Sequence, residues 1–89
     1  MGEERFYLYD DVEDTKTRFV SFMGEEERFD LAITTTTRHY GKHLVLDMQS
    51  NRFAIIGTDD LEEPGYLEKA FQLNTKNAAE LKDFLYEVI

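Results

Sequence analysis

Lys42-His43-Leu44-Val45-Leu46-Asp47-Met48-Gln49-Ser50-Asn51-Arg52-Phe53-Ala54-Ile55-Ile56-Gly57 is the stretch that decides the fold. Two apolar runs flank Gln49-Ser50-Asn51-Arg52, which reads as a tight turn, because Ser and Asn bond locally to the backbone and Asn tolerates positive φ. A hairpin folded there sets Met48 opposite Phe53, Leu46 opposite Ile55 and Leu44 opposite Gly57. Side chains alternate along a strand, so these residues share a face. Working towards the N-terminus, Arg38-His39-Tyr40-Gly41 sets Thr35 against Leu44, Ile33 against Leu46 and Leu31 against Met48. The acidic Gly24-Glu25-Glu26-Glu27 loop sets Phe22 against Phe29 and Val20 against Leu31. Three turns agree on one apolar face, and a slip of one residue in any strand would turn its apolar set outward.

The expectation is an α+β protein: a five-stranded antiparallel meander sheet followed by two C-terminal helices, the last packed on one sheet face. Strands are expected at about 5–10, 17–23, 28–36, 42–48 and 52–57. The β-branched run Thr34-Thr35-Thr36-Thr37 suits a pleated surface better than a helix. After Gly57 the period changes. Residues 58–63 read as an acidic connection, and Pro64 fits the first helical position, where its missing N–H costs nothing. Tyr66, Leu67, Ala70 and Phe71 recur at helical spacing and predict a short helix ending near Leu73. Thr75 is a plausible N-cap for the last helix. Ala78, Leu81, Leu85 and Val88, widened by Phe84, form the stripe that should lie on the sheet.

With 89 residues the chain is expected to form a single domain, residues 1–89. Folding should bury roughly 60–65% of the extended chain's surface. Apolar residues are 42% of the chain, with seven Phe and five Tyr, too many for a disordered chain even at a net charge of −9. There is no Cys, which removes disulfides and thiolate chemistry. No apolar signal core opens the chain and no stretch approaches the ~18 apolar residues of a membrane span, so a cytoplasmic location is expected and no membrane contact. Ten Lys and Arg against nineteen Asp and Glu repel a phosphate backbone, which argues against direct nucleic-acid binding.

The other face of the expected sheet carries Tyr7, Tyr9, Phe19, Met23, Val45 and Ile56, beside polar Ser21, Asp30, Thr34 and Asp47. A solvated antiparallel face normally turns polar, and this one is half apolar. Those six residues are the candidate interface for a homodimer or a protein partner. The chemical candidates are weaker. His39 and His43 sit in a turn leading into a strand, and a tetrahedral metal site would need two further ligands. Asp10-Asp11-Val12-Glu13-Asp14 lacks the glycine and distal glutamate of a calcium loop. Ser21 and Ser50 have no evident base partner. Asp59-Asp60-Leu61-Glu62-Glu63-Pro64-Gly65-Tyr66 is the most specific-looking stretch; helix capping explains its acids, and a cation or basic segment is the alternative. No catalytic, cofactor-binding or metal residue is assigned, and no cofactor or small-molecule ligand is identifiable.

Several phrases resemble a known family: Tyr9-Asp10-Asp11, Thr17-Arg18-Phe19-Val20-Ser21-Phe22-Met23-Gly24, Arg28-Phe29-Asp30-Leu31, Arg52-Phe53-Ala54-Ile55-Ile56-Gly57, Glu63-Pro64-Gly65-Tyr66-Leu67-Glu68 and Phe84-Leu85-Tyr86-Glu87-Val88-Ile89. They are similar to a family of short acidic proteins of Bacillus-type Gram-positive bacteria that has no assigned function. The resemblance spans nearly the whole chain and implies no catalytic or ligand residues. The functional expectation is a small non-enzymatic binding or assembly module that self-associates or docks a protein partner. The alternative is a small enzyme or ligand-binding protein with an acidic site near residues 59–66. An acidic regulator of a basic protein is the third reading.

Overall fold

The chain folds as β1 (Lys16–Met23), β2 (Arg28–Thr35), β3 (His43–Asp47) and β4 (Arg52–Ile56), then α1 (Thr58–Leu61), α2 (Tyr66–Phe71) and α3 (Thr75–Val88). The structure, a computed structural model, describes residues 4–89. The four strands form an antiparallel meander in the order β1-β2-β3-β4, so an α+β architecture with C-terminal helices holds. The sheet has four strands, not five. Residues 5–10 enter no ladder, and the physical reason lies in how the next residues are anchored (below).

The first hairpin has the expected register, with Phe22 opposite Phe29 and Val20 opposite Leu31. The second pairing differs from expectation by one residue. Thr35 lies opposite His43, Ile33 opposite Val45 and Leu31 opposite Asp47. The cause is local: Thr37–His39 forms a 3-10 turn, capped by the Thr36 hydroxyl, and Tyr40 at φ 53 and Gly41 at φ 86 bring the chain back. A one-residue shift exchanges faces. The third pairing differs by two, with Leu46 opposite Phe53 and Leu44 opposite Ile55, across a loop whose Asn51 has φ 60. A two-residue shift keeps faces, so Leu44, Leu46, Phe53 and Ile55 stay together on the side away from Leu31.

The core therefore joins Phe29, Leu31 and Ile33 of β2 with Val45 of β3 and Ile56 of β4. All three helices pack on that side. Leu61, Leu67, Phe71, Ala78, Leu81 and Leu85 complete the cluster. At one end Phe22 stacks on Phe29 at 5.0 Å and meets Phe84 at 4.8 Å between ring centroids. The α3 stripe runs as its spacing predicts, with Ala78, Leu81 and Leu85 buried and Phe84 and Val88 at the margin.

Helix ends depart from expectation by a residue or two. Asn74, not Thr75, caps α3, its Oδ1 accepting from the Asn77 N–H at 2.7 Å. Pro64 precedes α2 rather than opening it; Gly65 caps the helix at φ 79, a conformation costly for any residue with a Cβ. The stretch 58–63 is not wholly a connection, because Thr58–Leu61 makes one helical turn and buries Leu61. The Asp60 carboxylate accepts from the Gly57 N–H at 2.8 Å and holds that turn.

Candidate functional site: the uncovered sheet face

Every helix lies on one side of the sheet, and the other side carries a row of apolar residues across all four strands. Register places Phe19 beside Ala32, Ala32 beside Leu46 and Leu46 beside Phe53. A second row runs Thr17, Thr34, Leu44, Ile55, with the two Thr hydroxyls hydrogen-bonded at 2.8 Å. Phe19 is 71% exposed and Phe53 65%, which is solvent contact of the kind a core residue never keeps. Met23 and Met48 are also exposed. At ~4.8 Å between strands the outer strands, β1 and β4, stand about 14 Å apart, enough for a flat docking platform.

The rim of this face is polar but electrically balanced. Arg28 donates to Ser21 Oγ and Asp30 Oδ1, both at 3.2 Å, and pairs with Asp30 at 3.1 Å. The Ser21 hydroxyl, then the Arg28 guanidinium, hold the Asp30 carboxyl below its ordinary range. Neither row across the face contains a charged residue.

Of the six residues expected at an interface, only Phe19 and Met23 lie on this face. Val45 and Ile56 are fully buried on the helix side, because the second register exchanges the faces of β3 and β4. Both are core residues and not part of an interface. Tyr7 and Tyr9 are exposed but belong to the segment before β1, outside the sheet. The residues missing from that set are Leu44, Leu46, Phe53 and Ile55. Their alternation with Val45, Ala54 and Ile56 left either face apolar, and only the true register separates them.

The acidic stretch before α2 is occupied by structural contacts. Lys42 Nζ lies 2.9 Å from Asp60 Oδ2 and 3.3 Å from Asp59 Oδ2. The Gly57 N–H is the main reason the Asp60 carboxyl is held below its ordinary value, with Lys42 adding to it. Clefts of about 280 and 500 Å³ flank Glu63, Pro64 and Gly65. Tyr66 turns its hydroxyl to the Ile55 carbonyl at 3.4 Å. A third cleft, of about 510 Å³, lies between the β3–β4 loop and the start of α3, where Asp47 and Asn77 are each 6% exposed. Asp47 accepts from the Gln49 N–H at 3.1 Å, and Asn77 donates to Glu27 at 2.6 Å.

His39 lies in the 3-10 turn and His43 opens β3, half-buried, so the two do not share a helix. Among the described residues no three His, Asp or Glu side chains gather as a metal site. No described helix is long and apolar enough to cross a membrane.

No curated protein matches the chain. A family model matches it over residues 8–87, a span that takes in the sheet with its uncovered face, α1, α2 and all but the last residue of α3. The chain belongs to the SAV0927-like family, a family without an assigned activity.

Proposed function

We propose that this chain is a non-enzymatic assembly module whose uncovered sheet face docks a second copy of itself, forming a homodimer. One observation carries the reading: an uncharged apolar row, Phe19-Ala32-Leu46-Phe53, crosses the sheet on the side no helix covers. Exposed apolar patches of this kind mark interaction surfaces. A small-molecule site draws less support, because Asp59 and Asp60 are spent on Lys42, and Asp60 also on the Gly57 N–H. We further propose a cytoplasmic setting in a Bacillus-type bacterium, the kind of source that the sequence motifs resemble.

Sedimentation of the full chain at low and high salt tests this. Two copies at −9 each repel, and salt screens the repulsion, so a dimer docked through apolar rows holds or tightens as salt rises. Phe53→Glu places a charge in the row and is expected to leave a folded monomer. A parent chain that stays monomeric at about 100 μM, an affinity too weak for a stable assembly, ends the proposal.

A further inference from the structure

A second exposed apolar region precedes β1. Phe6, Tyr7, Leu8, Tyr9 and Val12 are 90%, 61%, 88%, 68% and 99% exposed. Their composition suits a strand, yet the ladder begins only at Lys16. The residues between explain why. Glu13 accepts a hydrogen bond from the Thr36 hydroxyl and pairs with Arg38 at 3.1 Å, while Asp11 stands 3.6 Å from the same guanidinium. Arg38 also lies 4.7 Å from the centre of the Tyr9 ring. These contacts draw residues 9–13 across the end of β2 towards the 3-10 turn. They lead away from the free edge of β1, where a hairpin would have to form.

Beyond Tyr9 the arm stands off the body. The radius of gyration is 15.5 Å, against about 12 Å for a compact chain of this length. The longest dimension is 52 Å, against 28 and 24 Å for the others. Along Phe6–Tyr9, Phe6 and Leu8 are the most exposed, whereas Tyr9 is held under Arg38.

We infer that two copies exchange these arms: Phe6 and Leu8 of one chain seat on the uncovered face of the other, among Ala32, Leu44, Leu46, Phe53 and Ile55, and the second arm does the same in return. This rests on the self-docking reading above and names what fills the face. Area supports it. At ~150–250 Å² per aromatic, the exposed side chains of the face alone offer on the order of 500 Å², short of the ~800 Å² per partner of a stable interface. Phe6 and Leu8 of the arm add roughly 300 Å² and bring the total to about 800 Å² per partner, the size of a stable interface. Charge supports it as well. Phe6 to Tyr9 carries no charge, nor do the two rows across the face, so the contact forms while the acidic loops stay solvated. Reciprocal exchange closes with two-fold symmetry and leaves neither face open.

The test uses full-length chains: the parent, a Phe6→Ser/Leu8→Ser arm variant and a Phe53→Glu face variant, sedimented singly and as an equimolar mixture. All substitutions are at exposed positions, and unchanged circular dichroism melts confirm folding. The expected result is a dimeric parent, each variant alone weakened at least about 100-fold in dimer affinity, and a heterodimer in the mixture. In the mixture the face variant's intact arm seats on the arm variant's intact face. If the arm variant dimerises like the parent while Phe53→Glu does not, the arm inference falls and the docking face stands. Two monomeric variants that stay monomeric on mixing overturn exchange, since an intact arm and an intact face are then both present and fail to meet. A monomeric parent removes both the inference and the reading beneath it.

Discussion

Leu31, Ile33, Val45 and Ile56 on one side of the sheet are sealed at 0–4% exposure, whereas Phe19, Phe53 and Ile55 on the other keep 39–71% of theirs. Both sets are apolar, and the two faces alternate residue by residue along β3 and β4, Leu44 and Leu46 with Val45, Phe53 and Ile55 with Ile56. Side-chain hydrophobicity therefore did not choose the buried side. The stripes of α2 and α3 did, by covering whichever face the β2–β3 register presented to them. The difference between the faces is one of partnership: the helix side found its partner within the chain, and the open side did not.

The widest way to break this comparison is to remove a core anchor. Phe71→Ala takes a fully buried ring from between sheet and helix and is expected to cost about 3–5 kcal/mol. Urea unfolding measures it; a loss under about 1 kcal/mol would mean the helix side is not the sealed one. Next is Asp60, which ties α1 to both the backbone and Lys42. Asp60→Ala should cost about 1–2 kcal/mol, the usual range for a cap and a charge-assisted hydrogen bond.

The same residue gives a pH dependence. Its carboxyl is held below the ordinary aspartate value in the folded chain. The stability it contributes is therefore present above the unfolded pKa and is lost as pH falls through the lower folded value. Asp60→Asn should flatten the acid limb of the stability profile, and an unaltered limb would show that other carboxyls dominate it. The smallest effect is on the open side. Phe53→Thr keeps strand propensity and removes an exposed ring, so monomer stability, measured at high dilution, should move by no more than about 0.5 kcal/mol. A loss comparable to that at Phe71 would show that the open face is covered in the monomer.

Legibility followed the range of the forces involved. The Gly24–Glu27 hairpin was readable because a short turn imposes the register of the strands beside it, and Phe22 duly meets Phe29. The α3 stripe was readable because its 3.6-residue period belongs to the helix alone. The β2–β3 connection was not, since a 3-10 turn with Tyr40 in the left-handed region adds a displacement that residue types do not announce. That single residue moved Val45 and Ile56 from the proposed interface into the core. Residues 5–10 read as a strand by composition, but Glu13 and Arg38 steer them away from the adjoining edge at β1.

The amino-acid order by itself determined the hairpin-rich sheet, the C-terminal amphipathic helix and the surplus of apolar residues over what one side of that sheet requires. These follow from periodicity and turn chemistry, which act over a few residues. Which side became interior, and that Phe19, Leu46 and Phe53 were left outside with an unpaired arm nearby, was decided only in three dimensions. Strand register and helix placement are settled by contacts between segments tens of residues apart, and alternating side chains convert a shift of one position into an exchange of inside for outside.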